Sequence, residues 1–262
     1  VLVKYANFLR HALRAPGRAE TILKKAIGIS EDADALGAYA VLLHAVRPHD
    51  PLTEQLYGRA VKADPTAVNA LSNYGLYLSE MKRDYTKAKK VYEQALTADP
   101  AHANSCYNYA VMLDSGLNDV EGAVQLYERA LKAKPTHAYA LYNLAVVCEE
   151  KLNDHERAGS LYERAVAAAP RDSLAVADHG RFEARRGAEM NDAAQVEKGA
   201  ALLRRALELD PACATAHAAL GEIALNAGDE AGAKRCYKDA KASDPHASSV
   251  RRLGDLLKRR KM

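Results

Sequence analysis

The side chains that most often do chemistry in proteins are dispersed along this chain. Its nine His and four Cys form neither a Cys-x-x-Cys pair nor a His-Glu-x-x-His segment, which are the spacings typical of redox and metal sites. His102 and His137 each lie two residues after a proline, a shared turn position rather than a spacing of metal ligands. Gly-rich phosphate loops and a Gly-x-Ser-x-Gly segment are also absent. We therefore expect no catalytic residues, no metal and no cofactor.

Two further features could suggest chemistry but have structural interpretations. Glu149 and Glu150 are adjacent and could be imagined as an acid and a base. Because neighbouring helical residues point in different directions, we expect both carboxylates on a solvated surface. Cys106 and Cys148 fall at packing positions of helical segments, so we expect buried structural thiols.

A row of amides offers a different kind of chemistry, namely binding. Asn73, Asn108 and Asn143 recur every 35 residues, and Asp178 occupies the next such position. An Asn side chain presents both a donor and an acceptor, so a row of them could pair with the backbone of an extended peptide. Whether they can act together depends on the elements that carry them.

Composition limits those elements. The 262 residues carry a formal charge of +3 and are 48% hydrophobic, which argues against disorder. With only 15 Gly and 9 Pro, turns are too few for an all-β fold. No apolar run approaches the ~18 residues of a membrane span. Scattered cysteines favour a reducing, intracellular setting. We expect the cytoplasm, with the nucleus or an organelle as alternatives. Val1–Leu13 does not resemble a signal peptide, and the absence of an initial Met leaves open that the chain begins inside a longer protein.

A repeat organises the whole chain. Six similar segments, such as Tyr127-Glu-Arg-Ala-Leu-Lys-Ala-Lys-Pro135, end at prolines spaced by 35, 35, 35, 41 and 34 residues. A second recurring segment, such as Tyr109-Ala-Val-Met-Leu113, precedes each of them. Apolar residues recur at i, i+3 and i+4 in both, which predicts two helices of about 13 residues per unit.

Turn and packing residues recur with the helices. An Asp precedes the second helix in several units and is the predicted N-cap; these residues are Asp84, Asp119, Asp154 and Asp229. Ala or Gly recurs at fixed places in both helices, where we expect the two helices to approach closely.

The repeat resembles that of the tetratricopeptide repeat family over essentially the whole chain. The resemblance lies in the order of a Leu/Tyr-Gly/Ala pair, a later Ala, a Tyr, another Ala and a closing Pro. The resemblance implies an all-α fold, a right-handed α-solenoid of about seven helix-turn-helix units with a C-terminal capping helix. We expect a single array over residues 1–262. Its units are 1–31 (partial), 32–66, 67–101, 102–136, 137–172, 173–212 and 213–246, followed by a basic capping helix at 247–262.

Some features depart from the family's pattern. Three successive repeats have one extra residue before the Asp, and the family's frequent Trp is absent. The sixth unit has about seven extra residues within 185–198, which we expect to lengthen its helices or to form a protruding turn. The basic C-terminal cluster is expected to be solvated, with an acidic partner, nucleic acid or a nuclear address as alternatives. It comprises Arg251, Arg252, Lys258, Arg259, Arg260 and Lys261.

In this family the first helices line a concave face. The resemblance implies a partner-binding groove there, although Asn and Tyr at these positions are also suited to packing neighbouring repeats. The residues expected on this face are Asn69, Asn73, Asn104, Tyr107, Asn108, Tyr139, Tyr142, Asn143, Asp178 and Arg181.

We therefore expect a non-enzymatic scaffold or adaptor. It would hold a partner peptide or helix in the groove, or form part of a larger multiprotein complex, with no membrane partner. The two-carboxylate clamp of co-chaperone members begins with a Lys and an Asn four residues apart on one first helix. Pairs such as Ser72/Leu76 and Tyr107/Val111 do not match it, so we do not expect an adaptor for chaperone tails.

Two alternatives stay open. One is a helical-repeat RNA-binding or processing factor, because pentatricopeptide repeats share the 35-residue period. Ala-Asp-Pro endings and a nearly balanced charge argue against a nucleic acid partner. The other is a regulatory tetratricopeptide region of a longer enzyme.

Overall fold

The computed structural model describes residues 1–259. Arg260, Lys261 and Met262, which end the expected capping helix and basic cluster, lie outside the described residues. Within the described range, every regular element is helical, with 15 α-helices and two π-helical turns. The all-α class is therefore confirmed. No helix in the same range combines the length and apolar character that crossing a membrane requires.

The chain divides into two compact units, the first being Val1–Pro135 and the second beginning at Thr136. The first unit contains α1 (Leu2–His11), α2 (Pro16–Ile29), α3 (Ala33–Val46), α4 (Pro51–Ala63), α5 (Val68–Tyr77), α6 (Tyr85–Ala98), α7 (Ala103–Val111) and α8 (Val120–Ala133). The second contains α9 (Ala138–Glu150), α10 (His155–Ala168), α11 (Ser173–Met190), α12 (Ala193–Leu209), α13 (Ala214–Asn226), α14 (Glu230–Ser243) and α15 (Ser248–Arg259).

Consecutive helices pair as helix-turn-helix repeats, as an α-solenoid requires. Helix α3, for example, packs against its partner α4 and against α5, the first helix of the next repeat. The extra residues of the sixth repeat lengthen α11 to 18 residues and α12 to 17. These two helices are the longest in the described chain. The expectation that the insertion lengthens the helices of the sixth unit is therefore confirmed.

The predicted Asp caps are confirmed. Asp84, Asp119, Asp154 and Asp229 each accept a hydrogen bond from the backbone N–H three residues later, at 2.8–3.1 Å. A cap of this kind satisfies one of the free amides in the first turn and contributes about 1 kcal/mol. Each Asp therefore fixes the start of a second helix.

The extra residue of the 35-residue repeats lies at the end of the first helix. In these repeats the amide of the capping Asp donates to a carbonyl six residues earlier, as from Asp84 to Leu78 at 3.0 Å and from Asp119 to Leu113 at 2.8 Å. In a 34-residue repeat, Asp229 donates to Ala224, five residues earlier, at 2.9 Å. The added residue thus widens the last turn, which is π-helical at Leu78–Lys82 and Met112–Gly116.

The residue just before the capping Asp is left-handed, both in the widened turns and at Gly228 of the 34-residue repeat. Arg83 occupies that position with φ of 52°, whereas the next two repeats have Asn118 and Asn153 there. Glycine adopts this conformation without the Cβ clash. We expect Arg83→Gly to raise the free energy of unfolding by about 1 kcal/mol, measured by urea denaturation. Asn118→Gly is the matched control, with a gain about half as large or less, and an equal or lower gain for Arg83→Gly would contradict the assignment.

In four successive repeats the core contains a tyrosine set against a small residue. Tyr57, Tyr92, Tyr127 and Tyr162 are fully buried. A Cβ added to Gly75 would lie 2.6 Å from the ring of Tyr92, which explains why this position is small. Tyr237, at the corresponding position of the last repeat, is only half-buried and packs against Gly254 of α15.

The turn between repeats is tied by a residue of the following second helix. Gln94 donates to the carbonyl of Pro65 at 2.8 Å, and Arg129 donates to that of Pro100 at 3.1 Å. Arg205 repeats the bond in the second unit, to Pro170 at 2.9 Å. The polar residue before the second-helix Ala therefore satisfies a carbonyl that a proline turn leaves open.

Candidate binding surfaces on the first helices

A buried carboxylate lies at the centre of the second unit. Glu149, near the end of α9, has a fully buried side chain. Arg181 of α11 donates to both of its oxygens at 3.1 Å, and Arg185 donates to Oε1. The Tyr162 hydroxyl of α10 donates to Oε2 at 2.7 Å. Glu149 was expected on a solvated surface, and that prediction is wrong, because these three donors replace the water that an exposed carboxylate would bind.

A second carboxylate joins the same network from the expected concave face. Asp178 accepts from the Tyr142 hydroxyl at 2.7 Å and from Arg181 Nε at 3.2 Å. Three of the residues expected on that face, Tyr142, Asp178 and Arg181, are thus in direct contact. Asp178 and Glu149 both accept from the Arg181 guanidinium, which fixes its orientation.

Protonation in this network follows from burial and charge. Burial raises the pKa of Tyr162, and the Glu149 carboxylate raises it further. Burial and then Asp178 do the same to the pKa of Tyr142. Burial by itself would lower the pKa of Arg181, but Asp178 and Glu149 raise it overall. The two tyrosines therefore remain donors and the arginine remains charged at neutral pH.

Beside this network is a polar pocket of about 500 Å³, between α9, α11, α13 and α15. Arg181 and Arg185 form one side, and Ser248 and Ser249 at the start of α15 form another. Arg252 of α15 pairs with Glu222 of α13 at 3.1 Å. Burial raises the pKa of Glu222. Positive and negative groups both face this pocket, so it can bond to donors and acceptors of a ligand.

An apolar cup of about 200 Å³ adjoins the polar pocket and shares Tyr142 and Leu174 with it. Its rim is formed by Tyr139 at the start of α9, which is 62% exposed, and by Leu174 at the start of α11, which is 48% exposed. Asn143 also lines it. Its size fits a single apolar side chain. Leu174 was not singled out from the sequence, although it follows Tyr139 by one 35-residue repeat.

In the first unit, the expected residues are spread more widely. Asn69 is exposed and Asn73 is half-buried, and both line a pocket with α1 and α3. Asn108 of α7 donates to the Ser72 hydroxyl of α5 at 3.3 Å, so part of its capacity is used between repeats. Tyr107 is half-buried, with its ring 6.2 Å from that of Tyr127. Asn104 is exposed.

The histidines and cysteines singled out from the sequence have structural positions. Nδ1 of His102 and of His137 accepts from the amide three residues later, at 3.2 and 3.3 Å, so both are N-caps at the predicted turn position. Cys106 and Cys148 are fully buried, as predicted. Within residues 1–259, His, Cys, Asp and Glu form no group of three or more that could hold a metal ion.

Solved structures with the same fold are numerous and distant in sequence. PilF of Pseudomonas aeruginosa is 20% identical with a TM-score of 0.66, and the match covers 82% of this chain and 93% of that one. YrrB, described as a TPR protein with an unusual peptide-binding site, is 20% identical, with a TM-score of 0.58 and coverage of 76% and 97%. Human IFIT1, solved with PPP-AAAA, is 17% identical, with a TM-score of 0.65 and coverage of 94% and 59%. At these identities the likeness is one of fold.

The family of the chain is shown by its sequence rather than by these structures. No curated protein matches the chain. The family model of the tetratricopeptide repeat, however, matches residues 80–135, 111–173 and 192–248. These ranges cover more than half of the chain and include α6 to α10 and α12 to α14. On this evidence the chain belongs to the tetratricopeptide repeat family.

Proposed function

We propose that this protein is a non-enzymatic interaction scaffold whose second unit binds an extended segment of a partner protein. The observation that carries the proposal is the contact of two unlike surfaces, the apolar cup between Tyr139 and Leu174 and the polar pocket beside Arg181 and Arg185. An extended segment could place an apolar side chain in the cup and its polar neighbours in the pocket. Membership of a repeat family that commonly forms binding platforms supports this function.

The network around Glu149 would serve this site as a rigid wall. Arg181 is held by Glu149 and Asp178, and Tyr142 is held by Asp178. Side chains that are already fixed lose little conformational freedom when a partner binds. Under this proposal Tyr139 contributes the largest share of the affinity, because an exposed tyrosine at the rim of a cup is a common binding hot spot. Asn143 and Asp178 would contribute hydrogen bonds.

We propose the same general role for the amides of the first unit, which are Asn69, Asn73, Asn104 and Asn108, together with Tyr107. Under this proposal the chain is one array of seven repeats and a cap. Its partner is an individual protein or a component of a larger assembly.

The test is peptide selection followed by measurement of affinity. A displayed library of random peptides is selected on the unmodified protein, and the Kd of the best binder is measured by fluorescence anisotropy. We expect Tyr139→Ala and Leu174→Ala each to raise that Kd at least about tenfold, since hot-spot truncations cost about 2 kcal/mol or more. Leu209→Ala, which truncates an exposed leucine at the end of α12, is the control and should leave Kd unchanged.

A peptide whose Kd is the same for all three variants would place the binding surface elsewhere. Circular dichroism of each variant checks that the exposed rim residues have been changed without loss of helix.

A further inference from the structure

One face of α1, which we call the end face, exposes two aromatic side chains. Tyr5 and Phe8 lie one turn apart on this helix and are 42% and 52% exposed. The residues 34 positions later on α3 are Tyr39 and Leu42, which are 4% and 1% exposed. Both helices therefore have an apolar face at the same repeat positions, and this face is covered in α3 and open in α1.

Inside the first unit, the element that covers this face is the second helix of the preceding repeat. Helix α2 packs against α3, α4 against α5, and α6 against α7. At the position of Tyr5, Tyr74 of α5 stacks on Tyr57 of α4 with ring centroids 5.5 Å apart. Tyr109 of α7 stacks on Tyr92 of α6 in the same way at 5.3 Å. The end face of α1 therefore has the side chains that receive an amphipathic helix elsewhere in this unit.

The charge around the end face indicates which kind of helix fits it. Residues 1–29, which contain α1 and α2, include one carboxylate, Glu20. The same residues include six cations, which are Lys4, Arg10, Arg14, Arg18, Lys24 and Lys25. Two such ends repel each other, so charge disfavours a second copy of this chain on the face. A helix with acidic residues beside its apolar stripe is attracted to it.

We propose that the end face of α1 binds an acidic amphipathic helix of a partner protein. The helix would cover Tyr5 and Phe8 as α4 covers α5, with a large apolar residue stacked on the Tyr5 ring. Helix recognition of this kind is read from apolar residues spaced at i, i+3 and i+4. The end face shares no residue with the surfaces proposed to bind an extended segment, so the two proposals can fail independently.

A peptide copied from the chain itself supplies the probe. Residues 50–64 contain α4 and its capping Asp50, and the buried stripe of α4 is formed by Thr53, Leu56, Tyr57 and Ala60. Gly58→Ala favours the helical state of the peptide. Arg59→Glu and Lys62→Glu at exposed positions give it five carboxylates and no cation. This acidic peptide is acetylated, amidated and labelled for fluorescence anisotropy with the full chain.

Two control peptides separate charge from apolar contact. The first keeps Arg59 and Lys62 and should bind at least about threefold more weakly, since the cationic end attracts carboxylates. The second is the acidic peptide with Tyr57→Ser, which should bind at least about tenfold more weakly because it lacks the stacking ring. Added salt should weaken the binding of the acidic peptide by screening the charges.

Substitutions in the protein locate the bound peptide. We expect Phe8→Ser and Tyr5→Ser each to raise the Kd of the acidic peptide at least about tenfold, as truncation of an aromatic hot spot does. Leu117→Ser is the matched control, because Leu117 is also an apolar residue of the first unit and is 47% exposed. It should change Kd by no more than about 1.5-fold. Circular dichroism checks the helix content of each variant, and two separate half-exposed positions keep the test valid if one variant folds poorly.

Four results would overturn the proposal. Absence of saturable binding, or equal Kd in Phe8→Ser, Tyr5→Ser and Leu117→Ser, would show that the end face does not receive the helix. Equal binding of the Tyr57→Ser peptide would show attraction by charge alone. Equal binding of the peptide that keeps Arg59 and Lys62 would show no preference for an acidic helix. Sedimentation equilibrium should find a monomer, and a dimer that Phe8→Ser dissociates would assign the face to a second copy.

Discussion

Replacing Glu149 with alanine is expected to lower the free energy of unfolding of the second unit by about 3–5 kcal/mol. The substitution would leave Arg181, whose side chain is 19% exposed, with Asp178 as its remaining carboxylate. It would also leave the buried Tyr162 hydroxyl without the acceptor to which it now donates at 2.7 Å. Removing one partner of a buried ion pair has this large effect because the other charge stays desolvated.

Two neighbouring variants isolate the cause. Glu150→Ala changes the adjacent, exposed carboxylate and should alter stability by no more than about 0.5 kcal/mol. Glu149→Gln keeps an acceptor for Tyr162 but removes the charge, so its effect should lie between the other two. The measurement is urea unfolding followed by circular dichroism and by the fluorescence of the tyrosines. If Glu149→Ala and Glu150→Ala proved equally mild, the buried network would not be holding α9, α10 and α11 together.

Much of the fold could be predicted from the sequence because its determinants are local. The Asp caps act within three residues, and the proline turns act within a single connection. Gly75 and Tyr92 recur with the repeat, so their contact could be expected from the period. The capping bonds of Asp84 and Asp119 and the burial of Tyr92 confirm these inferences. The widened turn at Leu78–Lys82 was visible as an extra residue, although not as π-helical geometry.

The environment of Glu149 could not be predicted in the same way. Its partners, Tyr162 and Arg181, are 13 and 32 residues away in the sequence, and Arg181 is not part of the recurring pattern. From the local sequence, which shows two adjacent acidic residues, both carboxylates were predicted to be exposed to solvent. In the structure, Glu149 turns toward three donors while Glu150 remains exposed. A non-repeating Arg on α11 was the available signal, because a desolvated guanidinium is stabilised by a nearby carboxylate.

Among the candidate binding residues, too, repetition along the chain was the signal that could be read from the sequence. Asn73, Asn108 and Asn143 were found because they repeat, yet Asn108 donates to Ser72 within the first unit. The proposed surface of the second unit departs from the repeat pattern, because Tyr139 and Leu174 replace Asn at the position of Asn69.

Adding a side chain at Gly199 is expected to destabilise the second unit, whereas adding one at Gly58 is expected to stabilise the first. A Cβ on Gly199 would lie 2.5 Å from the backbone nitrogen of Ala184 and 2.6 Å from the carbonyl oxygen of Gly180. Helices α11 and α12 would have to separate, because backbone atoms cannot rotate away as a side chain can. We expect Gly199→Ala to lower the free energy of unfolding by about 1–3 kcal/mol and Gly199→Val to lower it further.

Gly58 is the matched control, since it is also within a helix but its Cβ would meet nothing within 4 Å. There the alanine restricts the unfolded chain without a clash, so Gly58→Ala should raise stability by about 0.4–1 kcal/mol. Urea unfolding of both variants measures the two signs in one experiment. Opposite signs would show that the repeated small residues permit close helix contact rather than flexibility. A stabilising Gly199→Ala would mean that α11 and α12 do not approach each other as closely as their backbones indicate.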